Sequence, residues 1–83
     1  MTYYVYLIVS KVKNRTISYV GYTKNVKKRL LKHNSGKGAK FTKGKKWKLV
    51  FFKSYVEKKT AMKEEYKLKK NYKLRNLIKL NAT

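Results

Sequence analysis

Two periods of hydrophobic and polar residues run along this chain. From Tyr3 to Ser10 nearly every residue is β-branched, aromatic or aliphatic, which predicts a strand. Tyr3, Val5, Leu7 and Val9 fall on one face and Tyr4, Tyr6 and Ile8 on the other. Neither face is polar, so this strand belongs in the middle of a sheet, covered on both sides. Lys11 to Arg15 reads as a loop with Asn14 as its turn residue, and Thr16 to Tyr22 as a second strand completing a hairpin. Gly21 has no side chain and allows backbone or ligand to approach closely. Thr23 or Asn25 can cap the helix that follows, whose apolar stripe is Val26, Leu30 and Leu31 and whose end falls near Asn34-Ser35-Gly36. A glycine- and lysine-rich loop, Ser35 to Lys46, leads to a third strand from about Trp47 to Tyr55. A second helix covers about Val56 to Lys70 and a shorter third one Leu74 to Leu80. The order β-β-α-β-α-α predicts an α+β fold with a small, mostly antiparallel sheet flanked by helices.

One glutamate breaks the pattern of the second helix. With Ala61 at zero, Leu68 lies at about 340°, Tyr72 at about 20°, Met62 at about 100° and Tyr66 at about 140°. Glu65 falls at about 40°, inside that arc, and Glu64 at about 300°, on its edge. An inward carboxylate is costly unless it is paired or binds a cation. Lys69, at about 80°, offers an ion pair. A Mg²⁺ ion, which keeps several waters and takes carboxylate oxygen, is the other partner considered, and the scarcity of acids in the chain favours it.

Composition sharpens the picture. The chain carries 24 basic and 3 acidic side chains, a net charge of +21 over 83 residues. Repulsion on this scale opposes a compact state unless counterions or a polyanion screen it, and nucleic acid is the usual polyanion. Only Arg15, Arg29 and Arg75 are arginines; the lysines are point charges suited to holding phosphates, not to reading bases. An anionic membrane surface and a histone-like packing role are the competing readings. Eight tyrosines, three phenylalanines and one tryptophan argue against a disordered chain. The absence of cysteine excludes disulfides and thiolate metal sites. No run approaches the roughly 20 apolar residues of a membrane span. The N-terminal apolar run lacks the basic start and cleavage site of a secretory signal. The expectation is one domain over residues 1–83, cytoplasmic or nuclear, not secreted and with no membrane partner.

The candidate chemistry sits on the first three elements and the loop. Arg29 and His33, four apart, share a helix face. Arg29 can fork onto a phosphate and His33 can carry a proton near neutral pH; a solvated charge and a helix-end cation are the plainer readings. Tyr4, Tyr6, Tyr19 and Tyr22 are most simply core or cross-strand residues, though Tyr6 and Tyr19 can turn their hydroxyls into a cleft. The stretch from Gly36 to Lys46 is not a P-loop, since no glycine precedes Lys-Ser or Lys-Thr and it joins a helix to a strand. It reads as a mobile basic clamp, with Lys37, Lys40, Lys43 and Lys45 joining Lys24 and Lys28 on nucleic-acid backbone. Phe41 is available to stack on bases, and Trp47 belongs to the core.

These residues, in this order, resemble the GIY-YIG nuclease family over about Tyr3 to Asn71. Tyr4-Val5-Tyr6 stands at the first motif, Tyr19-Val20-Gly21 at the second, Arg29 follows, and His33-Asn34-Ser35-Gly36 keeps the spacing of small stand-alone members. In Ala61-Met62-Lys63-Glu64-Glu65 the last glutamate takes the metal-binding position. The resemblance implies a three-stranded sheet with flanking helices and cleavage of DNA with Mg²⁺, or Mn²⁺ in its place, in repair or recombination. It implies that Tyr6 and Tyr19 line the site, that Arg29 contacts the scissile phosphate, that Glu65 holds a single metal, and that a tyrosine acts as general base. His33 stands where members carry histidine or tyrosine. No small-molecule cofactor is implied. The first motif departs by tyrosine for glycine and valine for isoleucine, and neither Asn71 nor Asn76 aligns securely with the asparagine of other members. The extra DNA-recognition domain or cysteine-rich RING tail of larger relatives has no counterpart. Specificity is therefore expected to be weak, or to come from the shape of branched or flexible DNA or from a protein partner. A non-catalytic nucleic-acid-binding module on the same scaffold is the alternative.

Overall fold

Strand β1 (Tyr3–Val12) runs through the middle of the computed structural model, which describes residues 1–82. It pairs antiparallel with β2 (Arg15–Thr23) on one side and β3 (Lys48–Tyr55) on the other, giving the order β2-β1-β3. Residues Val5 to Ser10 are all buried, as a strand with two apolar faces requires. The β1–β2 hairpin closes tightly, with Val12 opposite Arg15. Its left-handed residue is Lys13 (φ 59°) and not Asn14, so a lysine occupies the conformation that asparagine tolerates better. Between Leu7 and Ile8 the pairing with β3 slips, Leu7 facing Phe51 and Ile8 facing Leu49, which leaves Val50 as an extra residue.

Each face of the sheet carries its own core. Helices α2 (Lys58–Lys70) and α3 (Tyr72–Ala82) cover one face, where Ala61, Leu68 and Ile78 meet Val5, Leu7 and Val20. Helix α1 (Val26–Asn34) and the loop 35–47 cover the other, where Leu30 and Trp47 meet Tyr6, Ile8, Ile17 and Tyr19. The helix order and the α+β, mostly antiparallel architecture follow the sequence expectation. Further details differ: the strands take in all of the expected Lys11–Arg15 loop but Lys13 and Asn14, and α2 starts at Lys58, two residues after the expected Val56. Leu31 is 69% exposed, so the apolar stripe of α1 reduces to Leu30 beside Val26. Met62, Tyr66 and Tyr72 are exposed too, because a three-stranded sheet needs only the narrow Ala61–Leu68 stripe of α2. The chain breaks at Asn71, whose side chain accepts from Leu74 N, and α3 begins at Tyr72, earlier than its periodicity predicts.

Of the two candidate caps for α1, Asn25 takes the role: its Oδ1 accepts from Lys28 N at 3.0 Å, while Thr23 Oγ1 accepts from Asn25 N. At the far end of α1, Asn34 clamps the start of β3, accepting from Trp47 N at 2.6 Å and donating to Trp47 O at 3.2 Å. The helix is thereby fixed against the sheet at both ends, which sets the positions of Arg29 and His33 between them.

Candidate active site

Tyr6 points from β1 across β2 at Gly21, the residue opposite it in the ladder. A Cβ on Gly21 would collide with the Tyr6 hydroxyl and lie 2.6 Å from its Cζ. Glycine therefore lets the phenol cross its neighbouring strand and reach α1. There Tyr6 Oη lies 2.8 Å from His33 Nε2 and accepts from Arg29 Nε at 3.4 Å. His33 is fully buried, with its Nδ1 2.8 Å from Thr42 Oγ1 in the loop. Tyr19, on β2, packs its ring edge against the His33 ring at 5.1 Å and stands near enough to Arg29 to help raise its pKa.

The two phenols differ in access. Tyr6 is 1% exposed, whereas Tyr19 is only partly buried. Burial pushes the Tyr6 phenol above its ordinary pKa; Arg29 opposes this through its hydrogen bond and charge, and Tyr19 and Glu65 add to the rise. The Tyr6 hydrogen bond raises Arg29 further, against the effect of burial, so the guanidinium is a permanent charge. Burial lowers His33 and the nearby Arg29 charge lowers it more, which favours the neutral imidazole at neutral pH.

Glu65 acts on this cluster through its charge. It stands on α2, on the opposite face of the sheet, yet its field is felt at the Tyr6 hydroxyl. Its side chain is 17% exposed and pairs with Lys69 Nζ at 3.4 Å, the ion-pair partner weighed from the sequence. Lys69 is half exposed, and pairs of that kind contribute little and exchange readily. Among the described residues no three His, Cys, Asp or Glu side chains gather as a metal cage. Carboxylate oxygen is the ligand type that suits a divalent ion keeping most of its waters, and Glu65 could offer one once parted from Lys69.

The basic residues are placed unevenly. Lys24 and Lys28 stand exposed at the start of α1, and Lys37, Lys40 and Lys43 stand exposed on the loop. Lys45 is half-buried instead, donating to Phe41 O at 2.9 Å with its charge 5.4 Å from the Phe41 ring centre. The expected mobile clamp is in fact seated: Thr42 is buried at its centre, and Trp47 Nε1 donates to Thr42 O at 2.9 Å. Phe41 is half exposed and stacks on Tyr19, and Trp47 is core. A hollow of about 340 Å³ lined by Tyr4, Phe52, Lys24 and Lys27 lies beside the N-terminal end of α1, one turn from Arg29. Sequence reading missed Thr42 and Gly38, whose added Cβ would lie 2.8 Å from His33 Cγ. It also missed the Asn34 clamp. A threonine in an aperiodic loop gives no signal until the fold brings it under the histidine.

The architecture and this cluster of two phenols, a guanidinium and an imidazole define a GIY-YIG catalytic domain. The family model of that description matches residues 2–79, and the chain belongs to the GIY-YIG family. Among similar proteins, a UPF0213 protein of Oceanobacillus iheyensis is 38% identical over 67 residues, 80% of this chain and 74% of the relative. A UPF0213 protein of Staphylococcus saprophyticus is 40% identical over 67 residues, 80% of this chain and 78% of the relative. The solution NMR structure of a UPF0213 protein from Bacillus halodurans matches with a TM-score of 0.50 at 38% identity, over 96% of this chain and 85% of that one. Membership supports a nuclease-type activity on DNA that uses a divalent metal ion. These relatives are bacterial, so the nuclear placement finds no support in them. Among the described residues no helix is long and apolar enough to cross a membrane.

Proposed function

We propose that this protein is a Mg²⁺-dependent endonuclease, able to use Mn²⁺, that hydrolyses phosphodiester bonds in branched or flexible DNA with weak sequence preference, in repair or recombination. The observation that carries the reading is Arg29, held through its Nε by the buried Tyr6 hydroxyl beside a neutral histidine and a part-exposed phenol. Tyr6 engages the Nε edge, so the terminal nitrogens are the ones offered to a scissile phosphate, where they stabilise the charge that develops. Tyr19 is the phenol that water can reach, and it serves as the general base with the Arg29 guanidinium beside it. Glu65 holds the metal ion, which when bound supplies charge neutralisation at the phosphate. Lys24, Lys28, Lys37, Lys40 and Lys43 hold the backbone on either side; Lys45 braces the loop. The whole chain acts as one domain, and a protein partner or DNA shape supplies what selectivity there is.

The test is nicking of supercoiled plasmid and of branched DNA with Mg²⁺ by the wild type and Glu65→Ala. Loss of cleavage by about a hundredfold or more with DNA binding retained is the expected result. Equal cleavage by both proteins would falsify the role of Glu65. The Glu65–Lys69 pair favours one alternative, a basic nucleic-acid-binding module without catalysis. In that case neither protein cuts and both bind alike.

A further inference from the structure

Thr42 lies buried in the basic loop, and the chemistry described above makes no use of it. We propose that Thr42 is a positioning residue that fixes His33 as its Nδ1–H tautomer and, through His33 and Tyr6, sets the direction of Arg29. The consequence for cleavage rests on the nuclease reading; the tautomer does not.

The assignment follows from counting hydrogens. Thr42 Oγ1 has three polar neighbours: Ala39 N at 3.2 Å, Ala39 O at 3.0 Å and His33 Nδ1 at 2.8 Å. A hydroxyl has one hydrogen to give and two lone pairs to receive. Ala39 N–H can only donate and Ala39 O can only accept. If the hydroxyl hydrogen goes to Ala39 O, the remaining lone pair receives His33 Nδ1–H and all three contacts are hydrogen bonds. If it goes to His33 Nδ1, two oxygens face each other at 3.0 Å with no hydrogen between them. Ala39 O also accepts from Thr42 N at 3.2 Å, so it keeps a donor in either case, but only the Nδ1–H tautomer places a hydrogen in all three contacts of the hydroxyl. His33 Nε2 then carries a lone pair and must accept from the Tyr6 hydroxyl, 2.8 Å away. With its hydrogen committed to His33, Tyr6 Oη presents a lone pair to Arg29 Nε–H. In the other tautomer His33 and Arg29 both donate to Tyr6, and the buried phenol must find a new acceptor for its own hydrogen, a penalty that buried donors seldom bear.

The loop is built to hold this arrangement. Gly38 packs against the His33 ring too closely for any side chain, and Trp47 Nε1 pins the Thr42 carbonyl from the core side. The loop that carries Lys37, Lys40 and Lys43 is therefore joined to Arg29 by an unbroken line of hydrogen bonds. DNA that displaces the loop disturbs the arginine, and DNA that seats it keeps the arginine in line.

His33 is the sole histidine, so its ring nitrogens are read without ambiguity by long-range proton–nitrogen NMR correlation. The wild type and Thr42→Ser are expected to show the Nδ1–H form. Thr42→Val, of similar shape but without the hydroxyl, is expected to lose it, with kcat for plasmid nicking falling by up to about a hundredfold and KM for DNA little changed. A wild-type spectrum of the Nε2–H form overturns the proposal. So does a Thr42→Val protein that keeps both the Nδ1–H form and the wild-type kcat. If Thr42→Val fails to fold by circular dichroism, the wild-type and Thr42→Ser spectra still decide. If the wild type cuts no DNA, the nuclease reading fails while the spectra judge the tautomer on their own.

Discussion

Gly21 shows how far a single missing side chain shapes this site. The Tyr6 ring crosses it and is held at its far end by His33 and Arg29, so the ring has no direction in which to yield. Gly21→Ala is expected to destabilise the fold by about 1–3 kcal/mol through forced repacking. It should also lower cleavage among the molecules that remain folded, because the Arg29 contact moves with Tyr6. Urea denaturation and plasmid nicking on the same preparation check both effects, and an alanine variant of wild-type stability would show that the ring can move aside. The same reasoning explains why the motif residues were legible one at a time. Residue type and spacing leave Tyr6, Tyr19, Arg29 and His33 with plainer readings, and it is the family resemblance that singles them out; the fold brings those four together. Glu65 was chosen by its helical angle, and it is indeed turned partly inward, but with Lys69 as its direct partner.

At the level of elements, the packing of two strands, α1 and the loop around His33 favours an uncharged imidazole. His33 is surrounded by Tyr6 from β1, Tyr19 from β2, Arg29 from its own helix and Thr42 from the loop, and the one charge among them is positive. Its pKa is lowered in the folded protein, so below the unfolded value of about 6.5 the unfolded chain binds more protons. The stability linked to His33 is complete above that value and is lost as pH falls toward the folded one. Thermal unfolding should therefore occur at lower temperature at pH 5.5 than at pH 7.5. His33→Gln should flatten the difference. A melting temperature unchanged across that range would show that the imidazole is not held neutral by its surroundings. The elements themselves were well marked in the sequence, because β1 is apolar on both faces and the turn and cap residues bound the rest. Contacts within the loop were not, since no period governs them: the seating of Thr42, the Asn34 clamp and the slip at Val50 depend on residues far apart in sequence.

For the molecule as a whole, charge decides how it meets DNA. With a net charge of +21 and only three arginines, binding should be governed by release of counterions and be nearly blind to sequence. The five exposed lysines assigned to the backbone predict a slope of log Kobs against log salt of about −4 to −5 on duplex DNA. Replacing Lys37 and Lys40 together by alanine should reduce its magnitude by about two. Titrations at several salt concentrations test this, and a slope near zero would assign the lysines to solvation alone. One further property follows from Trp47. It is the sole tryptophan, it lies within 6.4 Å of the Tyr19 ring, and its indole N–H holds the loop carbonyl above the histidine. The protein thus carries its own optical reporter at the junction of loop, helix and sheet, whose emission registers the seating of the loop on a substrate without any attached dye.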